Sequence, residues 1–375
     1  MILTPGDPVA PFHVRGLSNP RYAFGSAAGR YLVVTFLASS AAPGAQAFFR
    51  AMHATIGPFD DDFACAFIVT NDPRDEQSGA FQERYPGLRI FLDFDRAMAE
   101  RFGCLKKAED GASSISLTSF IIDPGLRVVR TIPITDMSRH HAEICAALET
   151  LSRPPADAWA PVLSVPGILE PALCRDLIAY AQAQGLEESG FMNTDPATGG
   201  TVLMVDHRHK KRTDCEIENE GLRGAVQARI HRRLVPQIAR AFQFNATRIE
   251  RHIICCYDAD AGGYFRPHTD NSTAGTAHRR FAVSIGLNAE DYEGGDLRFP
   301  EFGQRTYRPA TGGAIVFSCS LLHEALPVTR GRRFAVLPFL YDEAAARVRL
   351  DNARHLSDPQ LRESVLQSTS TPRED

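Results

Sequence analysis

The chain has 375 residues, 44% of them hydrophobic and 23% charged, with a formal net charge of -4. That length can bury two hydrophobic cores, and the composition is that of an ordinary globular protein. The near-neutral balance excludes a strongly basic nucleic-acid binder, and no stretch is long and apolar enough to span a bilayer, so neither nucleic acid nor membrane is expected as a partner.

The opening Met1-Ile2-Leu3-Thr4-Pro5-Gly6 lacks a basic segment followed by an apolar run and does not read as a signal peptide. Tyr31 to Leu37 is a continuous β-branched and aromatic run, the pattern of a buried strand. A helical segment from about Ala45 to Ile56 follows, then a second apolar run, Cys65 to Thr70, ended by the turn signal Asn71-Asp72-Pro73. Another helical stretch, a short strand at Arg89 to Leu92 and the helix-like Ala97 to Phe102 come next. Ser119 to Asp123 reads as a strand entering a Pro124-Gly125 turn, with Arg127 to Arg130 as its hairpin partner and a last helix from about His140 to Leu151. This alternation argues an α/β sandwich over residues 1–151.

Residues 152–162 carry three prolines and read as a stiff, extended linker. The second half opens with helices at Pro171 to Gln184 and Gly221 to Phe242, the latter with Pro236 as a kink. From Arg248 the pattern turns to short strands between Gly-rich turns: Ile249 to Tyr257, Phe281 to Asn288, Asp296 to Phe299, Ala314 to Cys319 and Phe334 to Tyr341. Many short strands suggest a sandwich or jelly roll over residues 163–345, with residues 346–375 as a C-terminal tail, polar after Ser357. The basic run His207-Arg208-His209-Lys210-Lys211-Arg212 reads as a solvated loop; the alternative is a lip that attracts an acidic substrate. The eight cysteines (Cys65, Cys104, Cys145, Cys174, Cys215, Cys255, Cys256 and Cys319) form no C-x-x-C pair, and several sit in apolar runs. They read as small buried hydrophobes in a reducing compartment, which gives a cytoplasmic localisation as the expectation.

The chemically informative segment is Tyr264-Phe265-Arg266-Pro267-His268-Thr269-Asp270-Asn271. On a strand, His268 and Asp270 would face the same side, because the side-chain period is two. His323, just after the core strand ending at Cys319, is placed to supply a third ligand. Two histidines and a carboxylate occupy one face of an octahedral metal and leave the other positions open, the non-haem Fe(II) arrangement. Arg333, on the next strand, offers a fork that grips a carboxylate in two-pronged fashion. Tyr292-Glu293-Gly294-Gly295-Asp296-Leu297 supplies a tight glycine turn between the two halves of the motif. Arg332 is expected on the face opposite Arg333. Tyr264 and Phe265 read as packing residues or pocket lining, and Asn271, Arg279 and Arg280 as surface polarity or substrate contacts. His231, His252 and His278 have no matching partner and are not expected to be ligands.

From about Ala160 to Ala345 these pieces resemble the prolyl-4-hydroxylase-like branch of the Fe(II)/2-oxoglutarate-dependent dioxygenases. The likeness is carried in order by Cys256-Tyr257, His268-Thr269-Asp270, Ser284 to Asn288, Glu293 to Asp296, Thr311 to Phe317 and His323 through Arg333. The resemblance implies a double-stranded β-helix (jelly roll), Fe(II) on His268, Asp270 and His323, the distal carboxylate of 2-oxoglutarate on Arg333 with support from Tyr257, and ascorbate as reductant. It implies hydroxylation of an unactivated C–H bond with release of succinate and CO2. The substrate would be a protein or peptide side chain, or a free amino-acid-like metabolite. The animal collagen enzymes carry lysine where Arg333 stands, so the chain looks more like the bacterial members. A carboxylate at position 270 disfavours the halogenating variant.

Residues 5–151 resemble the peroxiredoxin and thioredoxin-like fold through Gly6 to Phe12, the strand ending Thr35-Phe36-Leu37, and Thr118 to Pro124. The segment Ala38 to Ala45, where the resemblance would put a peroxidatic cysteine, has none, and Leu117 stands near the place of the catalytic arginine. The domain therefore reads as non-catalytic: a scaffold, a docking module, or a unit through which the chain forms a homodimer. A thiol peroxidase is disfavoured by the missing cysteine. The remaining alternative to an enzyme is a silent module that senses iron or 2-oxoglutarate.

Overall fold

The computed structural model describes residues 1–107, 113–152, 158–195 and 197–367. It divides into two compact units, Met1–Ala158 with Pro300–Gln304, and Trp159–Phe299 with Arg305–Asp375. Of the linker expected at 152–162, residues 153–157 lie outside the described residues.

The first unit is built on a five-stranded sheet. Tyr31–Ala38 pairs in parallel with Ala64–Thr70, which pairs in parallel with Leu88–Leu92. Thr118–Ile122 adds antiparallel to the central strand and turns back as Val128–Pro133. The inner strands are buried on both faces, which is why they read as unbroken apolar runs rather than alternating ones. Helices Ala45–Ala54 and Met137–Glu149 lay Phe48, Phe49, Met52, Ile144 and Leu148 against Val33, Ile68, Ile90 and Ile121. Each such side chain contributes about 1.5–3 kcal/mol on burial. This is the thioredoxin fold. The two-stranded pieces His13–Val14 with Tyr22–Ala23, and Leu105–Lys107 with Ser113–Ile115, are not anticipated by the sequence, because two or three residues carry no period.

The segment that lacks a cysteine is tied down by carboxylates. Ser39 Oγ donates to Asp72 at 2.8 Å, and the Ser40 amide and hydroxyl donate to Asp75 at 3.0 and 2.5 Å. Cys65 and Cys104 are buried, and burial pushes each thiol up to about 12. A thiol that stays protonated in this way is a poor nucleophile.

The second unit is a jelly roll. Its larger sheet runs in the order Leu163–Val165, Ala314–Ser318, Phe281–Gly286, Val328–Val336, Ile253–Asp258, Thr213–Glu216, Glu187–Glu188. The smaller sheet runs Lys210–Lys211, Tyr264–His268, His323–Ala325, Leu297–Arg298, Thr306–Tyr307. Alternate residues of the larger sheet, including Ile254, Cys256, Phe334 and Val336, pack on helices Pro171–Gln184, Glu220–Arg229 and Val235–Phe242. Cys255, Tyr257 and Ala335 face the other way, with Phe265 and Tyr292.

The long helix expected at 221–242 is interrupted by a π-turn at Ile230–Leu234 just before Pro236, whose missing N–H cannot continue the ladder. The expected strand Ile249 to Tyr257 is two strands, Arg248–Glu250 and Ile253–Asp258, broken where Arg251 takes φ 67°. The strand expected at Phe334 to Tyr341 begins six residues earlier, as Val328–Val336, and ends before a separate Phe339–Tyr341. The expected tail begins inside helix Glu343–Asp351 and continues as Pro359–Gln367, where Val365 packs with Ala353 and Leu356; residues 368–375 lie outside the described residues. No helix among the described residues is long and apolar enough to cross a membrane.

Candidate metal centre

Strand Tyr264–His268 pairs antiparallel with His323–Ala325, in a register that sets His268 opposite His323. Their rings lie 4.3 Å apart between centroids. His268 Nδ1 is 2.8 Å from the carbonyl of Arg266, and His323 Nδ1 is 3.1 Å from that of Leu321. A carbonyl only accepts, so each Nδ1 carries the proton and donates it. Each Nε2 is then a bare lone pair. Both point at Asp270, at 3.7 Å to Oδ1 and 3.4 Å to Oδ2. One donor atom from each residue falls within 4.8 Å of the others, a spacing that can hold a metal ion. Burial first, and the neighbouring His323 second, hold the His268 imidazole well below its ordinary value, which favours the neutral, ligating form.

The convergence arises differently from the sequence expectation. Asp270 is not on the strand, which ends at His268. It lies in the following turn, where its amide donates to the Cys319 carbonyl at 2.9 Å and its own carbonyl accepts from Arg279 Nη1 at 3.3 Å. Aromatic rings flank the imidazoles: Phe265 stacks on His268 at 3.5 Å and Phe317 lies 4.5 Å from His323. Phe265 is thus a packing residue, but it packs on a candidate ligand.

Arg333 is buried, and Tyr257 faces it directly across the ladder. Arg333 donates to the Gly295 carbonyl at 2.7 Å and to Ser284 Oγ at 3.1 Å, and no carboxylate lies within ion-pair distance of it among the described residues. Gly295 has φ +67°, and a Cβ there would stand 2.7 Å from Val328 and 3.3 Å from the Arg333 side chain, so the turn has to be glycine. Arg332 points the other way and lies 3.1 Å from Asp258, in ion-pair range although off the line of a hydrogen bond. The Tyr257 ring lies between two guanidiniums, Arg333 at 5.2 Å and Arg212 at 5.8 Å. Burial raises its phenol above the ordinary value, so the hydroxyl stays protonated and able to donate.

Residues 252–341, which contain Tyr257, His268, Asp270, His323 and Arg333, match the family model of the 2OG-Fe(II) oxygenase superfamily. The C-terminal unit carries a 2OG-Fe(II) oxygenase domain. A PKHD-type hydroxylase of Synechococcus sp. (strain JA-2-3B'a(2-13)) is 28% identical over 175 residues, covering 44% of this chain and 75% of that protein. Among solved structures, a Pseudomonas putida prolyl-4-hydroxylase matches 49% of this chain and 93% of its own at 18% identity and a TM-score of 0.37. The Mycobacterium tuberculosis peroxidoxin BcpB matches 40% of this chain and 99% of its own at 20% identity and a TM-score of 0.36. The matched family implies Fe(II) and 2-oxoglutarate for this domain.

The basic run beside this site is not a solvated loop throughout. Lys210–Lys211 is a strand edge paired with Tyr264 and Phe265, so alternate residues turn inward. Arg208 and Lys211 are exposed, whereas Lys210 and Arg212 are buried. Lys210 Nζ donates to Ser189 Oγ at 2.7 Å and to the Gly190 carbonyl at 2.5 Å, and lies 5.0 Å from the Phe265 ring centroid. Arg212 pairs with Asp214 at 2.7 Å. Arg279, read as surface polarity or a substrate contact, is instead buried and paired with Glu250 at 2.8 Å. Sequence reading missed these inward positions because charge runs carry no burial signal of their own; the alternation in 210–212 is the only cue. His278 bonds Glu250 at 2.6 Å and His252 bonds Gln227 at 3.0 Å, and neither joins the centre.

Burial, helped by the Arg212 charge, pushes the Lys210 ammonium down to about 6. A lysine neutral in the fold and charged when unfolded loses stability as pH falls from its unfolded value near 10.5 towards 6. Lys210→Met is therefore expected to melt above the wild type at pH 6–7, with the gap closing towards pH 10. Thermal melts across that range check it; a variant less stable at pH 6 than at pH 9 relative to wild type would contradict it.

Proposed function

We propose that the oxygenase domain holds Fe(II) through His268 Nε2, His323 Nε2 and an Asp270 oxygen, and takes the distal carboxylate of 2-oxoglutarate on Arg333 with a hydrogen bond from Tyr257. The observation that carries this reading is the protonation pattern of the two histidines. With both Nδ1–H groups committed to backbone carbonyls, two lone pairs and one carboxylate face a common point, and a cation reconciles them. Arg333 gives the second support: a buried guanidinium without a carboxylate partner is costly unless an anion completes it. The bound metal and cosubstrate supply the oxidising chemistry for hydroxylation of an unactivated C–H bond, with release of succinate and CO2 and with ascorbate as reductant.

The chain's own residues bind, orient and shield. Arg333 fixes one end of the cosubstrate through charge-assisted hydrogen bonds, and the neutral Tyr257 hydroxyl donates beside it. Phe265 and Phe317 keep water from the ligand rings. The substrate is a polypeptide side chain or a free amino-acid-like metabolite, selected by residues 190–216 and 271–280, with exposed Arg208 and Lys211 favouring an acidic group on it. The chain divides as residues 1–151, a linker at 152–162, the oxygenase domain at 163–345 and a C-terminal segment at 346–375. The first unit, which lacks a cysteine in the segment Ala38 to Ala45, acts as a non-catalytic scaffold through which two copies associate, in the cytoplasm. Sedimentation of the full chain tests the association; a monomer at all concentrations overturns it.

The deciding assay is succinate formation from 2-oxoglutarate with Fe(II), wild type against His268→Ala. Wild-type turnover that the substitution abolishes supports the reading, and equal succinate yields from the two proteins would sink it. Comparing peptide and free amino-acid pools as stimulants then separates the two substrate classes.

A further inference from the structure

We propose that Arg279, held by Glu250, is the positioning residue that aims the Asp270 carboxylate into the metal centre. This rests on Asp270 being a ligand. Asp270 lies two residues beyond the end of strand Tyr264–His268, so no ladder fixes its direction. Its backbone is anchored twice. The amide donates to Cys319 at 2.9 Å, and the carbonyl accepts from Arg279 Nη1 at 3.3 Å.

Arg279 also stands at the far end of the excursion that Asp270 begins. Between them the chain makes a short turn at Ala274–Thr276, closed by reciprocal Thr273 and Thr276 side-chain bonds. The guanidinium therefore ties the two ends of that loop together. A long side chain does this only if it is itself held. Arg279 Nη2 donates to Glu250 Oε1 at 2.8 Å, Nε lies 3.3 Å from Oε2, and the guanidinium lies 4.1 Å from the Phe339 ring centroid. Glu250 takes a further bond from His278 at 2.6 Å. Burial works to raise the Glu250 carboxyl, but Arg279 and His278 outweigh it and keep it ionised. Glu250 and Phe339 face each other in register on paired strands, so the base of the clamp is the sheet. A planar fork reaches Glu250 with one edge and the Asp270 carbonyl with another; a lysine ammonium can pair with Glu250 but cannot span both.

The test titrates Co(II) into the full-length protein and follows its visible absorption. Arg279→Lys should weaken Co(II) binding about 10- to 100-fold, the usual cost of losing an outer-shell partner. Its spectrum should move towards that of Asp270→Ala, which a merely structural role would not produce. Because a buried carboxylate left with a poor partner can unfold the chain, the double variant Glu250→Gln/Arg279→Gln, without either charge, runs alongside with the same expectation. If either folded variant binds Co(II) with wild-type affinity and spectrum while Asp270→Ala does not, the positioning role is overturned. If Asp270→Ala itself binds like wild type, the ligand assignment fails instead.

Discussion

Replacing Asp270 with alanine is expected to weaken metal binding by more than about 100-fold and to bring succinate formation close to background, while the metal-free protein melts near the wild-type temperature. The two effects separate because the residue's side chain and backbone do different work. The backbone holds the turn through Cys319 and Arg279, and alanine keeps both bonds. The carboxylate is the only anionic group among the three converging donors, so its loss leaves two imidazoles that bind divalent ions weakly. Loss of an outer-shell partner alone costs 10- to 100-fold, so a ligand should cost more. The stabilisation that metal gives the wild type, about 2.7 kcal/mol at a hundred times its Kd, should vanish from the variant's melting curve. Calorimetric titration with Mn(II) and melts with and without it measure both; a variant still stabilised like the wild type would show that Asp270 is not a ligand.

How much of this was readable beforehand depends on what kind of signal each feature leaves. The paired strands of the first unit announce themselves because strands buried on both faces are mostly apolar, and Tyr31–Ala38 and Ala64–Thr70 are apolar but for Thr35 and Thr70. The strand leading into Arg333 does not, because its first half, Val328-Thr329-Arg330-Gly331-Arg332, is mostly exposed and spells a turn by composition. The split at Arg251 is invisible for a related reason: a non-glycine residue with φ 67° is fixed by its surroundings and not by its own preference. The proximity of His268, Asp270 and His323 was legible, but for a partly mistaken reason. The period of two predicts a shared face on a strand, whereas Asp270 reaches the same point from a turn held by Arg279. Sequence spacing can mark residues that meet; it cannot show which outside side chain makes them meet. The inward Lys210, Arg212 and Arg279 share that limit, since only the assembled fold shows which side of a charged segment is covered.

Arg333→Met is expected to raise the Kd for 2-oxoglutarate by roughly 30- to 1000-fold, equivalent to about 2–4 kcal/mol for a buried charge-assisted pair. Metal affinity should stay within a few-fold, because a guanidinium is a cation with no acceptor lone pair to offer a metal. The same substitution should leave the ligand-free protein as stable as the wild type or more so. In the wild type the fold carries a buried guanidinium whose hydrogen bonds among the described residues go to the Gly295 carbonyl and the Ser284 hydroxyl, and a methionine of similar length removes the cost of desolvating that charge. Stability and cosubstrate binding should therefore move in opposite directions, which separates a binding residue from a structural one. Melting curves with and without 2-oxoglutarate, in the presence of Mn(II), read both at once. The wild type should gain several degrees on adding the cosubstrate, and the variant should start as high and gain little. A variant that melts well below the wild type without ligand and still shifts fully with it would assign Arg333 to the fold rather than to the cosubstrate.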